Sequence, residues 1–262
     1  MQNINSISVV CPFHRNENTI IRAAKSILDQ TYLPNEIVFV NDNSPDNSYR
    51  KLIKLLNNQS TNCMIKLISL KHSGPGHARN IAIQNSTSNW ISFLDADDYW
   101  LPEKLENIIE VIKKNRDVNF IAHDEFSYSK NLELYNLNLS SYFRNNKLVS
   151  SQLFCRNFLS TSSCTISYSL LRKYFFDPSL SSCQDYELWL AMANKINLFY
   201  INKTLGFYDN FNKSSITNNN QIKRFKNLII VLFRYYKYVS LFRFSIIVFK
   251  HFIAFFLEIK KK

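Results

Sequence analysis

The sequence predicts an α/β protein: a mostly parallel central sheet flanked by helices, followed by amphipathic helices at the C-terminal end. Two observations predict it. Short, continuous apolar runs alternate with segments whose apolar residues recur at helical spacing, the order expected of βαβ units. Charged side chains then collect where those runs end, and a parallel sheet places its ligands beyond the carboxyl ends of its strands.

Taken in order, Ile7–Phe13 (ISVVCPF) is an apolar run closed by a proline and reads as a buried strand. In Glu17–Gln30, residues Ile20, Ala23, Ala24, Ile27 and Leu28 share one face of an amphipathic helix. Glu36–Asp42 (EIVFVND) is a second strand, ended by the turn-rich NSPDNS, and a short helix covers Ser48–Leu56. Met64–Leu70 is a third strand, and KHSGPG leads from it into a helix over His77–Gln84. Trp90–Leu94 is a fourth strand that runs into Asp95-Ala96-Asp97-Asp98. Leu101–Asn115 is a helix with Pro102 at its start, where proline is tolerated. Beyond Asn119 the pattern loosens. Phe120–Ser129 and Thr161–Ser169 read as strands, and Asn131–Asn146 as an Asn-rich loop with a short helix. Asp185–Asn194 (DYELWLAMAN) reads as a helix with Asp185 at its N-cap, and Leu198–Tyr208 as a final strand. The run NNNQ marks a boundary near residue 218, dividing a body (1–218) from a tail (219–262).

Composition narrows the function. The 262 residues are 46% hydrophobic, enough for a sizeable core, and the five cysteines include no CxxC pair. Reduced thiols are therefore expected, rather than a disulfide scaffold or a zinc ribbon. Met1–Val10 has no basic segment followed by an apolar stretch, so no secretory leader is expected. The net charge of +12 is concentrated in the tail, where residues 221–262 hold ten Lys/Arg and one acid, Glu258. The body is nearly neutral, which argues against nucleic acid as a partner.

Chemistry is expected at the strand ends. Asp95 and Asp97, one residue apart just past a strand, can hold a hard divalent cation shared with substrate phosphates. The Gly74-Pro75-Gly76 turn lets backbone N–H groups approach a ligand, and the Arg79 fork suits a diphosphate. Plainer roles also fit these residue types: Asp97 and Asp98 could cap the helix near Leu101, Asp185 could cap its own helix, and Asp42 could be a turn residue.

The runs SVVCPFHRNENTI, QTYLPNEIVFVNDNSPD, GPGHARNIAI, WISFLDADDYW and QDYELWL, in this order, resemble the family 2 glycosyltransferases of GT-A fold. These are inverting enzymes that take a sugar from a nucleotide diphosphate. The resemblance covers residues 5–215 and implies a role for each matching position. Pro12 and His14 would line the nucleobase pocket, His14 standing where the family usually has tyrosine and Arg15 where it has asparagine. Asp42 would accept from the uracil N3–H. Gly76 and Arg79 would contact the nucleotide, Asp95 would meet the ribose, and Asp97 would bind Mn²⁺ or Mg²⁺. Asp185 would be the general base. Two departures stand out: Ala191 follows LWL where arginine is common, and Tyr208-Asp209-Asn210-Phe211 replaces YRxH, whose histidine can be a further metal ligand. No QxxRW run occurs, so a non-processive enzyme is implied.

In the tail, Lys223, Lys226, Arg234 and Lys237 fall in one helical sector opposite aliphatic and aromatic residues, and Arg243 and Lys250 repeat this further on. Its uncharged stretches are far shorter than the ~20 residues that span a bilayer. This is the pattern of helices lying in an anionic membrane interface; the alternative is a helix pair packed on the body. The whole implies a cytoplasmic, peripheral enzyme of the bacterial surface-polysaccharide type on the inner face of the plasma membrane. It would move a sugar from a UDP-sugar to a lipid-linked saccharide acceptor. The rival functions are a nucleotidyltransferase acting on sugar phosphates and a catalytically silent membrane-associated binding module.

Overall fold

The computed structural model describes residues 5–128, 134–137, 150–209 and 221–259. Strand β1 (Ile7–Phe13) lies between β2 (Glu36–Asn41) and β4 (Trp90–Phe93), with β3 (Met64–Ser69) outside β2, all four parallel. Helices α1 (Ile20–Leu28), α2 (Ser48–Asn57) and α3 (Pro75–Gln84) connect them in turn. Past β4 the sheet is mixed rather than parallel. Its further strands are β5 (Tyr99–Trp100), β6 (Phe120–Tyr128), β7 (Leu134–Asn136), β8 (Thr165–Ser167) and β9 (Leu198–Phe207). The spatial order is β3-β2-β1-β4-β8-β6-β9-β5, with β7 on β6. Strand β8 runs antiparallel to both β4 and β6, while β9 runs parallel to β6.

Strands β1, β2 and β4 are buried throughout because both faces of this part of the sheet are covered. Ile7, Val9, Cys11, Ile37 and Phe39 point to a core under α1, α2 and α4 (Lys104–Lys114). Val10, Val38, Val40 and Phe93 point the other way, to a core under α3, α5 (Ser150–Cys155) and α7 (Gln184–Met192). The period-two alternation of a strand thus feeds two cores, not one core and solvent.

Where the structure departs from expectation, the elements are short. Strands β5 and β7 and helices α5 and α6 (Tyr168–Leu171) hold too few residues to show a period. Strand β7 stands where a loop with a short helix was expected; the rest of that segment lies outside the described residues, as does the boundary near residue 218. The expected strand Thr161–Ser169 divides into a one-turn 3-10 helix (Thr161–Ser163), β8 and α6. Its hydroxyls turn the chain: Ser163 N–H and Oγ–H bond back to Ser160 Oγ (3.1 Å) and Ser160 O (2.9 Å). Asp185 is not the N-cap of α7 but its second residue; Cys183 caps the helix in the left-handed conformation, φ 61°. Neither Asp97 nor Asp98 caps α4, because β5 intervenes and Glu103 holds that position.

The tail forms α8 (Gln221–Arg234) and α9 (Leu241–Ile259). Helix α8 packs on the body through the buried Val231 and Leu232, and Tyr235 donates from its hydroxyl to Glu187 Oε1 at 2.7 Å. Arg234 leaves the expected basic sector, because it pairs with Asp177 at 2.6 Å and Glu187 at 3.6 Å. Among the described residues no helix is long and apolar enough to cross a membrane.

Trp189 locks α7 into the second core. It is fully buried, meets Phe120 and Phe176 edge-on at 5.2 and 6.3 Å, and donates to Leu159 O at 3.3 Å. Trp189→Ala should therefore lower the unfolding free energy in urea by about 3–5 kcal/mol. A loss under about 1 kcal/mol would show that the core closes over the gap and that α7 does not depend on this ring.

Candidate active site

The carboxyl ends of β1, β2 and β4 open into one cleft of about 1050 Å³. Pro12, His14, Asp42, Arg79, Asp95, Asp97 and Asp185 all line it. Gly76 does not. Its missing Cβ lets α3 approach α7, since a Cβ there would lie 3.0 Å from Gln184 Cδ. The glycine that shapes the turn is Gly74, at φ 88°.

At the β1–β2 end, the Asp42 carboxylate accepts from the backbone N–H groups of Ser73 (2.7 Å) and Gly74 (3.0 Å). It thereby ties the end of β2 to the turn before α3, and a carboxylate's remaining lone pairs can still receive a ligand N–H. His72 Nδ1 lies 2.9 Å from Asp42 Oδ2, and the His72 ring stacks on His14 with centroids 4.3 Å apart. Arg15 and Asn43, just past β1 and β2, are both left-handed, at φ 59° and 54°. Asparagine tolerates that conformation more readily than arginine does.

The acidic loop after β4 is held from beneath by Ser162. Its hydroxyl donates to Asp98 Oδ2 (2.5 Å) and accepts from Asp95 N–H (3.0 Å). Its carbonyl accepts from Lys104 Nζ (2.8 Å) and Trp100 Nε1 (2.9 Å). Asp98 also accepts from Asp209 N–H at 2.8 Å, so it is a buried structural acid, pushed well above the usual carboxylate range by burial and by Asp97. Asp95 pairs with Arg79, whose buried Nε finds no partner among the described residues, a donor left for a ligand oxygen.

Asp97 faces the cleft, and no cation pairs with it among the described residues. Burial, then the charge of Asp95, with Asp209 contributing, raises it to about 6. A divalent cation would relieve this crowding, and an open carboxylate of this kind suits one. Asp209, the second residue of the run that replaces YRxH, carries a carboxylate bound to Arg22 at 3.0 Å.

The first turn of α7 brings Asp185 into the same cleft. Burial pushes its carboxyl up, and Asn157 donates to its Oδ2 at 3.0 Å. Glu125, from β6, also lines the cleft; burial raises it to about 7, and its Oε1 has no partner among the described residues. Sequence reasoning missed His72, Asn157, Ser162 and Glu125. The position of His72 beside the Gly74 turn was a signal, but the others are polar residues in irregular or weakly patterned segments.

The sequence profile described as "Glycosyl transferase family 2" matches residues 8–178, so the chain belongs to that family. It is 29% identical over 199 residues to the Escherichia coli UDP-Glc:alpha-D-GlcNAc-diphosphoundecaprenol beta-1,3-glucosyltransferase WfgD, covering 75% of this chain and 73% of that protein. It is 30% identical over 202 residues to an uncharacterized glycosyltransferase of Rickettsia bellii, covering 74% of this chain but only 28% of that longer protein. Among solved structures, S. aureus TarS 1-349 in complex with UDP-GlcNAc superposes with a TM-score of 0.71 at 16% identity, covering 94% of this chain and 71% of that one. The mannosyltransferase PcManGT from Pyrobaculum calidifontis, in complex with GDP-Man and Mn2+, gives 0.63 at 15% identity, covering 87% and 63%. The fold is GT-A and the protein is a glycosyltransferase, which sets the nucleotidyltransferase alternative aside.

Two outcomes test this geometry. Ser162→Ala removes the hydroxyl under the acidic loop and should cost about 1–3 kcal/mol of stability. It should also weaken nucleotide-sugar binding, read by calorimetry; full affinity would show that the loop holds itself. Metal binding should follow the protonation of Asp97, since a cation binds only the ionised carboxylate. As pH falls through about 6, protons compete, and Mn²⁺ affinity should drop about tenfold per unit, while above that range it should level off. Affinity independent of pH across this range would remove Asp97 from the metal site.

Proposed function

We propose that this glycosyltransferase is inverting and moves a sugar from a UDP-sugar, with Mn²⁺ or Mg²⁺, to a hydroxyl of a lipid-linked saccharide during cell-surface polysaccharide synthesis. It works as a peripheral enzyme at the anionic inner face of the plasma membrane, through its tail (219–262). One observation carries the reading. Arg79 of α3 and Asp95 and Asp97 of the loop after β4 line the same cleft as a carboxylate, Asp185, that comes from a separate element, α7. Inversion is a single displacement at the anomeric carbon, so base and leaving group must occupy opposite sides.

In this arrangement Asp42 selects a base with an imide N–H, and the stacked His14 and His72 offer it a flat wall. Asp97 would hold the divalent cation, which when bound supplies positive charge to the departing diphosphate. Arg79 adds its own charge and its unpartnered Nε–H, and Asp95 keeps that guanidinium aimed. Asp185 takes the proton of the acceptor hydroxyl as the new C–O bond forms. Asn157 holds one of its oxygens, and burial makes the carboxylate a stronger base than an exposed one. The diphosphate leaves with the electron pair of the broken bond, and no covalent intermediate is needed. The name of WfgD supports both a UDP-sugar and a diphosphoundecaprenol-linked acceptor.

Asp185→Asn keeps the side-chain volume and removes the base. Turnover, measured as UDP release, should fall by about 10²-fold or more, with UDP affinity nearly unchanged. A parallel loss of UDP binding would mean that Asp185 only supports the cleft.

A further inference from the structure

Resting on the reading of a lipid-linked acceptor, we propose that α8 and α9 together form its dock. The outer face of α9 lies in an anionic membrane surface, and Lys223 and Arg224, in the first turn of α8, hold the diphosphate of an isoprenoid-diphosphate-linked saccharide at the mouth of the cleft.

The membrane face is visible as a stripe. Phe242, Ile246, Phe249, Ile253 and Phe256, spaced four or three residues apart, are 78%, 39%, 66%, 44% and 57% exposed. The opposite side of α9 is spent on the body: Ile247 is buried in the core, and Phe252 and Phe255 pack on Phe225 of α8 at 4.8 and 4.3 Å. Leu241 and Leu257 of α9, with Phe233 of α8, add further exposed apolar side chains. An apolar face of this length marks an interaction surface. Charge names the occupant. Lys226, Lys237, Arg243 and Lys250 are all exposed, and Glu258 is the one acid in residues 221–262. A second copy of the chain would bring the same positive charge to the contact, whereas anionic lipid is complementary to it.

The cleft and this face meet at the start of α8. Lys223 and Arg224 line the cleft beside Asp185 and Cys183, and Arg156 lines it as well. The charge of Arg224 is felt at Cys183 on one side and at His251 of α9 on the other. The donor's diphosphate is matched by Arg79 and Asp97, so these further cations stand with the base, where the acceptor enters. An acceptor whose sugar is joined through a diphosphate to a lipid carries its anionic group where the membrane ends. The guanidinium fork and the lysine suit that group. Helix α8 thus links the lipid-facing surface to the reacting hydroxyl.

The test uses the full chain and two probes, each read by binding. The first is dodecyl diphosphate in neutral detergent micelles with UDP saturating; the second is vesicles of phosphatidylglycerol. Lys223→Gln with Arg224→Gln should weaken dodecyl diphosphate binding at least about tenfold, leaving UDP affinity unchanged and most vesicle binding intact, while Arg224→Lys, which keeps the charge and loses the fork, should fall between the two. Phe249→Ser with Phe256→Ser should do the reverse, releasing the protein from vesicles while diphosphate affinity stays. If the rim variant binds dodecyl diphosphate like the wild type, or loses only vesicles, the rim cations are phospholipid contacts and the proposal falls. If the wild type sediments as a dimer that the α9 variant dissolves, the stripe belongs to a second copy and the proposal also falls. Failure of UDP itself to bind would instead overturn the donor reading, and the dodecyl diphosphate result would still be read separately.

Discussion

Ser162 is the point on which the geometry of the cleft depends. One hydroxyl and one carbonyl bind the backbone of Asp95, the carboxyl of Asp98, the ammonium of Lys104 and the indole of Trp100. Asp98 extends the network to Asp209 at the end of β9. The acidic loop is thus fastened to two distant segments of chain, at Ser162 and at Asp209, before any ligand arrives. In a buried setting such bonds are strong when complete and expensive when broken, so the loop is held near one position.

That fastening places charge where charge is costly. Lys104 is fully buried, with its Nζ 3.5 Å over the Trp100 ring, and burial drives its pKa well below the usual range. Asp98 and Glu125 are driven upward by the same cause. Replacing buried ionic groups by well-packed apolar side chains is often neutral or stabilising, so their burial is weak evidence of a contribution to stability. The group instead sets the electrostatic background of the cleft: the structural acids near the site resist ionisation, while Asp95 is held against Arg79 and Asp97 stands open to the cleft.

The tail applies the same separation of roles to a surface. Helix α8 is an element of the fold, bound to α7 through Tyr235 and Glu187 and to the Asp177 loop through Arg234. Helix α9 rests on it and turns a large apolar face outward. Helical periodicity detects that a helix has two faces, but it cannot tell which of two amphipathic helices the body will cover. Arg234 shows this, since its sequence neighbours place it among solvent cations and the fold gives it two carboxylates.

Much of the fold was legible in the chain. The four parallel strands, their crossover helices and the acids at the strand ends follow from local facts: apolar runs, 3.6-residue spacing and turn residues all report on the chain's immediate surroundings. The mixed half of the sheet was not legible, because β5, β7 and β8 are two or three residues long and form only where a longer strand offers an edge. Asp185 was singled out by resemblance but placed two residues too early in its helix, since Cys183 takes a left-handed cap that local preference does not predict. Ser162, Asn157, Glu125 and His72 became site residues only through contacts 28 to 67 positions away in sequence or through shared walls of the cleft. By itself the sequence determined the elements and the residues carrying charge, because those depend on neighbours along the chain. Only the tertiary structure decided which charges are buried, which are paired and which face the cleft, because burial and pairing depend on neighbours in space.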